Sequence, residues 1–134
     1  MTTSHTLPLV GMHFRPPAKA ILAVLPVGCP LWLEPEPENP YDANALKVNV
    51  RSADIPTAPA IVVKLNDLAQ PSGFTSDEIF AEPSWHLGYI PREAAAELAS
   101  SVAEAFEING EVQGKLSFDP AGRAYIAFGL PEAE

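Results

Sequence analysis

Fifteen prolines cut this 134-residue chain into short pieces, and that limits its possible folds more than any other property. They gather at Pro16-Pro17, across residues 26–40, across residues 56–71 and at Pro120. Proline fixes its own φ and brings no N–H to a helix or ladder, so each cluster marks a loop or an element boundary. The runs between them are mostly short and apolar. Residues 7–14, 30–34, 45–51 and 87–90 read as strands. Leu46, Val48 and Val50 alternate with Lys47 and Asn49, as in a strand with one buried face. Val112, Gly114, Leu116 and Phe118 alternate toward the turn Asp119-Pro120-Ala121-Gly122. Ala124, Ile126, Phe128 and Leu130 alternate back, which predicts a terminal hairpin followed by a short acidic tail.

Two segments carry helical spacing. Residues 17–25 place Ala18, Ile21, Leu22 and Leu25 on one face, with Pro17 in the first turn and Pro26 and Gly28 as the stop. Pro91 opens a longer helix, in which Ala95, Leu98, Val102 and Phe106 form one stripe before Asn109-Gly110 ends it. A long insertion, residues 52–86, separates two of the strands. Within it residues 60–65 are apolar enough for a further strand, while 70–83 read as an irregular excursion bearing Phe74, Ile79 and Phe80. Those three residues are expected to cover the domain, with contact to a protein partner as the other use. The expected architecture is one domain over residues 1–134. Its class is all-β or α+β, a small β-barrel of about six strands with one short and one longer helix.

Charge narrows the function. The formal net charge is −9, and the eight Lys and Arg residues are scattered singly. Proteins that grip duplex DNA along its length neutralise many phosphates with a basic stripe. Any nucleic-acid contact here is therefore small and local. The single cysteine, Cys29, excludes an internal disulfide and reads as a small buried residue. His5, His13, His86 and Cys29 show no zinc-ligand spacing, so neither metal nor cofactor is expected. No glycine-rich loop with a lysine is present to cradle a nucleotide phosphate, and no nucleophile–base pair stands out, so no enzyme is expected. No apolar run approaches a membrane span and no signal peptide is seen, which points to the cytoplasm.

The most informative stretch is Asn39-Pro40-Tyr41-Asp42-Ala43-Asn44-Ala45-Leu46-Lys47-Val48. Pro40 drives Asn39 from the helical region, and Asp and Asn bond nearby backbone in such bends. An aromatic ring, a carboxylate and two amides thus sit on a turn that runs into a strand. Before it come Val10-Gly11-Met12-His13-Phe14 and Leu31-Trp32-Leu33-Glu34-Pro35-Glu36, and after it Leu87-Gly88-Tyr89-Ile90-Pro91-Arg92-Glu93-Ala94. In this order, over roughly residues 7–118, these blocks resemble a HIRAN domain of the small stand-alone bacterial or phage type. The resemblance implies an OB-like barrel and capture of the 3′ end of single-stranded DNA, in replication, repair or phage DNA metabolism. It implies that Phe14 and Tyr41 hold the terminal base, that Asp42 meets the 3′-hydroxyl, and that Tyr89 and Arg92 approach base and backbone. Asn39 and His13 complete the expected DNA-binding set; His13 stands where DNA-binding relatives carry arginine, and Arg15 lies two positions on.

The chemistry is coherent without the family. A base stacked on an aromatic ring contributes about 1–3 kcal/mol whatever its identity. An ionised Asp accepts hydrogen bonds and donates none, so it takes a terminal hydroxyl and repels a phosphate. The competing reading is an acidic protein-interaction adaptor on the same barrel, drawn from the charge, His13 and the 70–83 segment.

Overall fold

The computed structural model describes residues 2–131, so the expected acidic tail lies outside the described residues. Six strands form one antiparallel sheet: β1 (Thr2–Pro8), β2 (Pro30–Pro35), β3 (Leu46–Arg51), β4 (Ser84–Tyr89), β5 (Val112–Phe118) and β6 (Ala124–Pro131). Their spatial order is β1-β6-β5-β2-β3-β4. Four α-helices accompany them among the described residues: α1 (Ala18–Leu22), α2 (Pro59–Ala69), α3 (Ser76–Ala81) and α4 (Arg92–Asn109). The fold is α+β.

The alternation in β3 does what the sequence predicts. Leu46, Val48 and Val50 are fully buried, and each such side chain contributes ~1.5–3 kcal/mol on leaving water. Leu31 and Leu33 of β2 meet them in the core, as do Leu116 and Ile126 from the terminal hairpin. Helix α4 turns Ala95, Val102 and Ala105 inward, packs against β2, β5 and β6, and ends at Gly110.

The sheet is not a continuous barrel. Among the described residues, the chain just past one edge strand, β1, touches the other, β4, at an isolated bridge between Val10 and Tyr89. Each backbone N–H of that pair donates to the other's carbonyl at 2.9 Å. Glycine permits the approach, because a Cβ at Gly88 would lie 2.6 Å from the Val10 carbonyl oxygen.

Three expectations need correction. The strand expected over 7–14 instead spans Thr2–Pro8, and Met12–Phe14 form a 3-10 turn. Gly11 causes the change: its φ of 78° is left-handed, so the apparent alternation of Val10 and Met12 is broken between them. The strand expected at 60–65 is part of α2. Pro59 opens that helix, and Leu65 and Ala69, four apart, are its buried contacts, whereas Val63 is 61% exposed. A short apolar run fits either period, and here packing against α1 and α3 decides it.

The excursion expected over 70–83 is likewise ordered, as a 3-10 turn at Gln70–Ser72 followed by α3. Thr75 and Glu78 form a reciprocal capping box at its start. Ile79 is fully buried, and Phe74 and Phe80 pack on the core, with Phe74 edge-on to Trp85 at 5.6 Å. The two expected helices are therefore four, and the insertion is a small helical layer that covers one side of the core.

Candidate nucleic-acid interface

Local hydrogen bonds build the turn between β2 and β3. The Asn39 Oδ1 accepts from the backbone N–H of Tyr41 at 2.9 Å and of Asp42 at 3.1 Å. The Asp42 Oδ1 accepts from the Asn44 N–H at 2.9 Å. These are the side-chain-to-backbone bonds expected of Asx residues in tight bends. With its backbone held, Tyr41 projects its ring into solvent and is 86% exposed.

Opposite the turn, Tyr89 ends β4 and Arg92 begins α4. The Tyr89 hydroxyl accepts from Arg15 Nη2 at 2.9 Å and donates to Glu36 Oε1 at 2.8 Å. The Arg15 guanidinium also stands 5.4 Å from the centre of the Tyr89 ring. Arg92 reaches back over the turn, with Nη2 3.5 Å from the Tyr41 carbonyl oxygen and Nε 4.0 Å from Asp42 Oδ2.

Asn39, Tyr41, Asp42, Tyr89 and Arg92 thus line one cleft of about 280 Å³, joined by Arg15. Val10, Ala45 and Ile90 supply its apolar lining. The remaining expected residues, His13 and Phe14, are not part of the lining. They lie on the 3-10 turn immediately before Arg15, their rings 3.9 Å apart, and Phe14 is 75% exposed.

The electrostatics are local and nearly balanced, with Arg15 and Arg92 set against Asp42 and Glu36. Burial works against the Glu36 carboxylate, but hydrogen bonds from Asn39 and Tyr89 and the Lys47 charge outweigh it, so its pKa falls below the ordinary value. Burial, then the Glu36 hydrogen bond, raises the Tyr89 phenol. Burial and the Arg15 charge push His86 down, so its ring is neutral near pH 7. Cys29, which is not part of the cleft lining, has its thiol pushed up to about 11 by burial and then by Asp54, which keeps it protonated near pH 7.

Sequence reasoning missed Glu36 and gave Arg15 only a substitute's place. Glu36 sits in an acidic run that reads as solvated surface, and nothing local marks its bond to Tyr89. The one local clue is Asn39, three residues on, whose Nδ2 donates to Glu36 Oε1 at 2.6 Å. Among the described residues no group of three or more His, Cys, Asp or Glu side chains could hold a metal, and no helix is long and apolar enough to cross a membrane.

The fold is an α+β domain that opens a cleft of aromatic, carboxylate and guanidinium groups on its surface. Residues 3–121 match the HIRAN domain, and the chain belongs to that family. HIRAN domains are nucleic-acid-binding modules and are not catalytic by themselves. No curated protein matches the chain. Among solved structures it is similar to a crystal structure of a protein from Lactobacillus plantarum, a structural genomics target. The TM-score is 0.53 at 19% identity, over 98% of this chain and 100% of the other.

Proposed function

We propose that the cleft captures the 3′ end of single-stranded DNA, without catalysis, in replication, repair or phage DNA metabolism in the cytoplasm. The observation that carries this reading is the convergence of Tyr41, Asp42, Tyr89, Arg92 and Arg15 on one open cleft. Tyr41 offers a free ring face for the terminal base, and Phe14 stands on the adjoining turn as a second exposed ring. Asp42 Oδ2 is available to accept the 3′-hydroxyl, since Oδ1 is held in the turn. Arg15 and Arg92 meet the backbone phosphate next to the end, with Arg15 supplying a permanent cation two positions beyond His13.

Fluorescence titration with oligonucleotides bearing a free or a phosphorylated 3′ end tests the reading. Tighter binding of the free end is expected. Equal affinity for both, or none for either, removes it.

The adaptor reading keeps the net charge of −9 as its support, but Phe74, Ile79 and Phe80 are spent on packing rather than displayed. Absence of any DNA binding would leave it as the better account.

A further inference from the structure

Glu36 Oε1 accepts two hydrogen bonds that lead to opposite walls of the cleft. One comes from Asn39 Nδ2 at 2.6 Å, the other from the Tyr89 hydroxyl at 2.8 Å. An amide has a donor end and an acceptor end. Committing Nδ2 to Glu36 turns Oδ1 toward the turn, where it holds the N–H groups of Tyr41 and Asp42. A phenol has one proton. Spending it on Glu36 leaves the oxygen's lone pairs for Arg15 Nη2, 2.9 Å away. The second carboxylate oxygen is 3.9 Å from Lys47 Nζ, which anchors the group at the end of β2.

We propose that Glu36 is the positioning residue of the cleft, presetting both the Tyr41-Asp42 turn and the Arg15 guanidinium for a DNA 3′ end; this rests on the end-capture reading. A carboxylate suits the task because it only accepts. Flipping Asn39 would set Oδ1 against Oε1, two acceptors in contact, so one amide orientation survives. Reversing the phenol would leave its proton facing Arg15, a pure donor. Glutamine at this position could present either end and would no longer forbid the flip. Alanine would remove both bonds and leave Asn39 Nδ2 only its longer contact, 3.4 Å, to the Tyr89 oxygen.

The test compares wild type, Glu36→Ala and Glu36→Gln by two readouts. The first needs no DNA: the NMR resonances of the Asn39 side-chain amide and of the Tyr41 and Asp42 backbone amides. The second is titration with oligonucleotides ending in a 3′-hydroxyl or a 3′-phosphate. Glu36→Ala is expected to move all three resonances, to weaken free-end binding about tenfold, and to shrink the preference for the free end. Glu36→Gln should recover most of the affinity while doubling or broadening the Asn39 amide signal.

Resonances that stay in place in Glu36→Ala overturn the proposal. So does a loss that lowers the melting temperature but leaves the preference between the two ends intact, since that marks a structural role only. If the alanine variant does not fold, the glutamine variant decides, and a single unshifted Asn39 signal counts against us. If wild type binds neither oligonucleotide, the end-capture reading fails by itself, and the resonances alone then judge whether Glu36 presets the turn.

Discussion

Asp42 divides its carboxylate: Oδ1 accepts from the Asn44 N–H at 2.9 Å, while Oδ2 lies 4.0 Å from Arg92 Nε. The first oxygen maintains the turn and the second faces an exposed cation. At that distance and exposure the ion pair contributes little to stability, about 0–1 kcal/mol. Asp42→Asn keeps an acceptor for Asn44 but loses the charge. It should therefore fold with nearly unchanged stability, while its preference for a free over a phosphorylated 3′ end falls. Asp42→Ala should show the same loss plus about 1 kcal/mol of destabilisation from the vacated turn bond. Paired titrations and thermal melts separate the two effects.

Tyr41 contributes almost nothing to the core, being 86% exposed. Tyr41→Ala should leave the melting temperature unchanged and weaken oligonucleotide binding by roughly 5- to 150-fold, the range for loss of one base stack. Phe14→Ala should cost less, because Phe14 stands outside the cleft lining. A larger loss from Phe14 than from Tyr41 would place the terminal base on the wrong ring.

These two residues also show how far the sequence reaches. The Tyr41-Asp42 turn was legible because its bonds are local: Asn39 to Tyr41 and Asp42, Asp42 to Asn44. β3 and α4 were legible because burial on one face imposes a period on the residues themselves. The run at 60–65 has no such period, and its packing against α1 and α3 made it helical. Helix α3 did announce itself, through Thr75 and Glu78 at capping-box spacing, a signal lost among the surrounding loop residues. The positions of Phe14 and His13 depended on Gly11 turning the chain, which a pattern of apolar residues cannot register. Glu36 was out of reach for another reason: its hydrogen-bond partner Tyr89 is 53 residues away.

Gly88 ties the fold to the site. A Cβ there would fall 2.6 Å from the Val10 carbonyl oxygen, which is backbone and cannot swing aside. Gly88→Ala should part the bridge between Val10 and Tyr89 at a cost of ~1–3 kcal/mol, read from a denaturant melt. Because Val10 and Tyr89 both line the cleft, DNA affinity should fall as well, even in the folded fraction.

Salt offers an independent check on how the end is held. Two guanidiniums, Arg15 and Arg92, flank the cleft in a chain of net charge −9. If each neutralises one phosphate, the slope of log affinity against log salt is about −1.4, from about −0.7 per contact on single strands. Arg15→Ala should roughly halve it. A slope several times steeper would reveal a basic surface that the cleft does not contain.

Acid should act through Glu36. Its folded-state pKa lies below the reference value of 4.5, so folding favours the ionised form. A depressed carboxylate contributes its stability above the unfolded pKa and loses it as pH falls through the folded one. The stability of wild type relative to Glu36→Gln should therefore be constant above pH ~5 and shrink below pH ~4.5 as the carboxylate takes up a proton. Binding should weaken modestly in the same interval, because protonation removes the charge that strengthens both bonds to Oε1 and turns one of the two oxygens into a donor. Denaturant melts of the two proteins across this interval measure the first effect; a stability difference that grows on acidification would mean that Glu36 is held as the neutral acid.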